Sequence, residues 1–205
     1  MPESKKRQNR RWFDYWSQTY DKFIFKRFMW HWQDKTIAEL PHSSKSILEV
    51  ACGTGVGTQK TAQKFPRAQI HAIDLSKGMI ERAKERLKSK RRVHVSIGDV
   101  ERLPFKNKFD AVFCTESFHH FPNPKKAIAE MSKATKKGGT IVITDINFPP
   151  LFLSNIIFRL EPGFVHMYSR TEFKQLFENA GLEIVKQKRV GLFALMTVGK
   201  KTNQS

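Results

Sequence analysis

The residues with the clearest chemical promise begin at Leu48-Glu49-Val50-Ala51-Cys52-Gly53-Thr54-Gly55-Val56-Gly57-Thr58. Glycines in such a turn let a ligand approach the main chain, because no Cβ intervenes. The N–H groups that open the following helix favour a carboxylate or phosphate. Asp74 stands 19 residues after Gly55, and an acidic residue at about that distance can accept hydrogen bonds from both ribose hydroxyls. In Gly98-Asp99-Val100-Glu101, the Asp99 carboxylate can accept from an exocyclic adenine amine while the Val100 N–H donates to a ring nitrogen. The dinucleotide fingerprint Gly-x-Gly-x-x-Gly is not met, since Thr58 stands three after Gly55 and the third glycine, Gly57, comes one place early. No separate substrate domain follows, so a dehydrogenase is disfavoured.

His119 and His120 add side chains that titrate near neutral pH and can act as general bases. Glu116, His166 and Tyr168 are weaker candidates. Adjacent residues on a helix point about 100° apart, and no other His or Cys spacing supports ligation. No metal site is expected.

These residues need a scaffold, and the periodicity supplies one. From about residue 45, short β-rich runs alternate with helical patterns, as in an α/β fold with a mostly parallel sheet. Strands are expected at 46–50, 69–74, 93–97, 109–114, 140–146, 183–190 and 192–198, about seven in all. Helices are expected at 58–65, after Ser76 as N-cap, at 124–135, and from Ser169 or Thr171 to Gly181. Lys136-Lys137-Gly138-Gly139 reads as the end of the third helix.

The chain has 205 residues, 40% hydrophobic and 27% charged, which suits a single domain. Its parts read as a basic aromatic cap over 1–40, a ligand-binding core over 45–146, an apolar lid over 147–169 and a C-terminal helix and strands over 170–200. No run approaches the roughly 18 apolar residues needed to span a bilayer. The basic N-terminus has no apolar stretch behind it, so no secretory signal is expected. Cys52 and Cys114 are the only cysteines, which fits a reduced, cytoplasmic setting, where the Asn203-Gln204-Ser205 sequon carries no meaning.

The order and spacing of four blocks, LEVACGTGVGT, AIDLSKGMIERAKERL, GDVERLPF and FDAVFCTESFHHFPNPKKAIAEMSKATKKGGTIVITD, resembles the class I S-adenosylmethionine (SAM)-dependent methyltransferases. The resemblance is to the small-molecule subgroup that includes the ubiquinone/menaquinone C-methyltransferases, and it covers roughly residues 45–145. It implies a Rossmann-like, seven-stranded, mostly parallel sheet with helices on both faces, and SAM as cofactor. By that resemblance Glu49, Gly53 and Gly55 surround the methionine half of SAM, with Ala51 where many members carry the first glycine. Asp74 holds the ribose, Leu75 and Met79 line the adenosine side, and Asp99 and Val100 read the adenine. Thr115 lies beside the methionine moiety, and Tyr20, within Thr19-Tyr20-Asp21, closes over SAM. The first histidine of such a pair tends to face the substrate in this subgroup, which favours His119 over His120 as base.

The apolar lid position points to a hydrophobic acceptor pocket. The aromatic and basic residues of 10–32 fit an interfacial helix. A net charge of +18 attracts polyanions and anionic lipid. Together they favour a small or lipid-like acceptor and peripheral contact with an anionic membrane. The plainer alternative is that both segments form the protein's own core. Nucleic acid is less favoured as substrate: Thr115-Glu116-Ser117-Phe118 replaces the Asp/Asn-Pro-Pro-aromatic motif of base-amine methylation, and Asn147-Phe148-Pro149-Pro150 comes after strand five instead. A protein methyltransferase and a non-catalytic SAM-fold binding module stay open.

Overall fold

The computed structural model describes residues 2–22, 26–161 and 163–202, with 2, 22 and 26–29 described by backbone alone. The side chains of Phe23, Phe25 and Phe28, which belong to the aromatic segment 10–32, and the sequon Asn203-Gln204-Ser205 lie outside the described residues.

The strands are β1 (Ser46–Val50), β2 (Gln69–Asp74), β3 (Val93–Ile97), β4 (Phe109–Thr115), β5 (Thr135–Ile146), β6 (Leu182–Val190) and β7 (Ala194–Lys201). They form one sheet in the order β3-β2-β1-β4-β5-β7-β6. The first five pair in parallel, and β7 runs antiparallel to both β5 and β6. The helices are α1 (Pro2–Trp16), α2 (Lys26–Ala38), α3 (Val56–Lys64), α4 (Lys77–Leu87), α5 (Pro124–Ala134), α6 (Leu151–Ile157) and α7 (Arg170–Asn179). This is the expected Rossmann-like arrangement, mostly parallel and covered on both faces.

Period-two alternation explains the two covered faces. Leu48, Val50, Val112, Cys114, Ile141 and Ile143 pack with Ile128 and Met131 of α5 and Phe173 and Phe177 of α7. The intervening Ile47, Ala111, Phe113 and Val142 pack with Trp32 and Ile37 of α2 on the other side. Each fully buried Phe or Ile in these layers contributes about 1.5–3 kcal/mol. In α4, Met79, Ile80, Ala83 and Leu87 are the buried stripe, and Ser76 caps the helix by accepting from Met79 N–H at 3.1 Å. Ser169 and Glu172 form a reciprocal capping box on α7.

Several boundaries differ from expectation, and the last strand, expected at 192–198, runs Ala194–Lys201. Helix α3 starts at Val56, two residues early, because Gly55 at φ 81° already turns the chain into it. Helix α5 stops at Ala134, because Thr135 pairs with Phe109 in the sheet. Lys136-Lys137-Gly138-Gly139 therefore lies inside β5, with Gly138 at φ 71° and a register shift opposite Phe109/Ala111. Glycine after lysine marks a bulge as readily as a helix end. The segment 147–169 is divided. Helix α6 exposes Phe152, Leu153, Ile156 and Ile157, and Leu160 beyond it is 88% exposed, whereas Phe164, Met167 and Tyr168 are buried in the core. Among the described residues no helix is long and apolar enough to cross a membrane.

Candidate active site

The carboxyl ends of β1, β2, β3 and β4 open into one cavity, where an α/β sheet of this order places its ligands. Glu49, Ala51, Gly53, Asp74, Leu75, Met79, Asp99, Val100 and Thr115 line it, and Tyr20 joins them from the N-terminal segment. Gly55 is the one expected cofactor residue that does not. A Cβ there would lie 3.0 Å from Leu87 Cδ1 and 3.1 Å from Ala83 Cβ, so Gly55 serves the packing of α3 on α4.

The glycine turn is wound tightly. Ala51 and Gly53 both have φ 54°, a left-handed conformation in which Ala is strained and Gly is not. The Gly53 N–H donates to Asp74 Oδ2 and the Ser76 N–H to Asp74 Oδ1, each at 2.9 Å. Asp74 thus ties the β1 and β2 turns together. Burial pushes its pKa up to about 6 against the pull of those two N–H groups. Glu49 is buried beneath the turn, where Thr58 Oγ1 donates to its Oε2. Burial pushes its pKa up to about 8. A Cβ on Gly57 would collide with Glu49 Oε1, so glycine at that position is what makes room for the buried carboxylate.

Helix α1 and the turn after it cover the cavity through contacts that local sequence could not reveal. Lys6 Nζ donates to Asp99 Oδ2 at 2.9 Å and to Glu101 Oε2 at 2.8 Å. Asp14 Oδ1 accepts from Ser76 Oγ at 2.6 Å and from Gly78 N–H at 3.0 Å. Thr54 Oγ1 donates to Asp21 Oδ1 at 2.7 Å, and Arg86 pairs with the other Asp21 oxygen. Tyr20 packs edge-on to Trp16, with centroids 4.9 Å apart, and burial raises its pKa. Trp30 and Gln33 of α2 complete the wall. Trp30 Nε1, Gln33 Oε1 and Thr115 Oγ1 are buried polar atoms with no hydrogen-bond partner among the described residues.

His119 and His120 lie in a single 3-10 turn after β4, with ring centroids 3.9 Å apart. His120 lines the cavity and His119 does not. His119 is instead held by Asp145 at the end of β5: its N–H donates to Oδ2 at 2.6 Å and its Nδ1 lies 2.7 Å from Oδ1. Burial disfavours charge on the His119 ring, but Asp145 outweighs it and raises the pKa. Burial, then the neighbouring His119, lowers that of His120. Glu116, at φ 57°, lines the cavity beside them. His166 pairs with Glu172 at 2.7 Å and Tyr168 packs on Phe118 and Phe173; neither lines the cavity.

Residues 47–139 match a methyltransferase domain family. The chain is 37% identical over 99 residues to the malonyl-acyl-carrier-protein O-methyltransferase of Priestia megaterium, covering 48% of this chain and 36% of that one. It is 35% identical over 117 residues to the demethylmenaquinone methyltransferase of Clavibacter sepedonicus, covering 57% and 47% respectively. The chain therefore spans less than half the length of either relative. Among solved structures, the protein complexed with the Haloferax volcanii Trm112 methyltransferase activator superposes with a TM-score of 0.85, at 19% identity, over 95% of this chain and 98% of that one. Residues 47–139 thus match a methyltransferase domain, set in a chain that shares the fold of that solved structure.

Proposed function

We propose that the chain transfers the methyl group of SAM to a small or lipid-like acceptor held between α1, α2 and the sheet. The observation that carries this reading is the convergence of Glu49, Asp74 and Asp99, from three neighbouring strand ends, on one cavity. Their chemistry fits the cofactor. A buried Glu49 carboxylate beside the glycine turn suits an α-ammonium group, and the unpartnered Thr115 Oγ1 suits the same methionine moiety. Asp74 accepts from the ribose diol. Asp99 accepts from the adenine amine while the Val100 N–H meets a ring nitrogen, and Leu75 and Met79 wall the adenosine. Tyr20 closes over the top.

Bound there, SAM supplies a methyl group on a sulfonium, already activated for in-line displacement. The remaining work of the protein is alignment and exclusion of water, worth on the order of 7–11 kcal/mol in favourable cases. The α1 cover excludes water. His120 stands at the cavity wall to receive a proton when the acceptor has one to lose, and the Asp145-held His119 packs against it and fixes its position. The exposed apolar face of α6 and the +18 charge support the lipid-like acceptor and peripheral contact with an anionic membrane.

The test is incubation with methyl-tritiated SAM and, separately, a prenylated quinol, a malonyl thioester, transfer RNA and a protein extract. Label entering the quinol or thioester supports the reading. Label confined to RNA or protein overturns it.

A further inference from the structure

We propose that His119, His120 and Glu161 form a binding site for one divalent first-row transition-metal ion of the zinc class. Each residue offers one donor atom, and the three atoms lie within 4.8 Å of one another. His120 Nε2 stands 3.9 Å from Glu161 Oε1. A tetrahedral ion with ligand bonds of about 2.0–2.2 Å holds its donors roughly 3.3–3.5 Å apart, so side-chain shifts on the order of an ångström close the set.

The cluster is built rather than incidental. Asp145 is a carboxylate and accepts, so it places the His119 proton on Nδ1 and leaves the Nε2 lone pair for ligation. A carboxylate behind a ligating histidine is the usual support of a metal site. The two segments that carry the donors are fastened together by backbone bonds. Val165 N–H donates to His119 O at 2.9 Å. Asn9 Nδ2 donates to His120 O at 2.8 Å and to Gly163 O at 3.2 Å. Gly163 is at φ 94°, and a Cβ there would press within 3.0 Å of Asn9 Oδ1. The histidines are buried, whereas the Glu161 side chain is 35% exposed and offers the ion a way in.

Two imidazoles and one carboxylate suit zinc and its neighbours. Magnesium and calcium ask for more oxygen donors than this set provides. Adjacent histidines on an α-helix would diverge, which is why the sequence argued against a metal. The 3-10 turn and the Glu161 loop bring the donors together instead. His120 lines the cavity, so an ion held by these donors would stand at its wall. Ligation would take up a His120 lone pair, so His120 in the metal-loaded protein would serve as ligand and not as proton acceptor. That last consequence rests on the methyl-transfer reading; the site itself does not.

The experiment is titration of Co2+ into the chelator-stripped full chain, followed by visible absorption and by competition with Zn2+. One equivalent of Co2+ with the absorption of a tetrahedral site, displaced by Zn2+, is expected. Glu161→Gln, at a partly exposed position, is expected to weaken binding at least tenfold. His166→Ala, which removes a His–Glu pair lacking a third donor, is expected to leave it unchanged. SAM affinity, measured on the same preparations, is expected to persist in Glu161→Gln, which separates failure at this site from failure of the cofactor site. Absence of stoichiometric Co2+ and Zn2+ uptake by the wild type, or equal uptake by Glu161→Gln, would overturn the proposal.

Discussion

Lys6 Nζ lies 2.9 Å from Asp99 Oδ2, so the first helix is tethered to the carboxylate assigned to the adenine amine. An ammonium and an exocyclic amine want the same acceptor. On the proposed reading the Lys6 contact holds α1 down over the place the adenine would enter, and entry would require that contact to loosen. A charged hydrogen bond of this kind contributes about 1.5–3 kcal/mol. Lys6→Met should accordingly speed SAM association about tenfold or more. Stopped-flow tryptophan fluorescence, with Trp16 and Trp30 beside the cavity, measures that rate; an unchanged rate would show that α1 does not gate entry.

Glu49 gives a proton-linkage prediction. Its pKa is about 8 in the folded protein because burial disfavours its charge, against about 4.3 when unfolded. The native state therefore holds a proton that the unfolded state has lost, and this group's contribution makes stability fall as pH rises from roughly 4 to 8. An α-ammonium beside Glu49 favours the carboxylate, so SAM binding at pH 7 should release up to about one proton. Calorimetry in buffers of different ionisation enthalpy reads the release. Glu49→Gln should abolish it and flatten this part of the stability profile.

The glycine turn makes two opposite predictions. Ala51 at φ 54° carries a strain of about 1–2 kcal/mol that glycine would not. Ala51→Gly should raise the thermal midpoint even after the entropy cost of glycine, about 0.5–1 kcal/mol. Gly57→Ala should instead displace Glu49 and weaken SAM binding at least tenfold. A neutral outcome at both positions would mean that the turn geometry is wrong.

Helix α6 exposes Phe152 at 72% and Ile156 at 58%. Changing both to Ser should leave stability within about 0.5 kcal/mol per site, because neither side chain is in the core. The same change should cut co-sedimentation with anionic vesicles. Equal sedimentation by the double variant and the wild type would remove α6 from any membrane role.

Much of the fold and of the cavity wall was legible because the signals are local. Glu49, Asp74 and Asp99 each sit at the end of a strand whose apolar run is visible in the sequence, next to the turn they serve. The cover was not legible. Lys6–Asp99 and Asn9–His120 join residues 93 and 111 positions apart, and nothing in either neighbourhood announces the other. Asp145 was within reach: it ends β5 as Asp74 ends β2, and a carboxylate at that edge could have been flagged. Without it, the choice between His119 and His120 lacked the restraint that turns one ring away from the cavity. The lysine-glycine run at 136–139 misled because helix ends and bulges share the same residues.

The most direct test of the central claim is calorimetry of SAM binding to the wild type and to Asp74→Asn, which keeps the shape and removes the charge. Two charge-assisted hydrogen bonds to the ribose weaken together, so the account predicts wild-type binding with one site per chain and a loss of about 10–100-fold in the variant. Equal affinity of the two proteins, or no binding by the wild type, would contradict it.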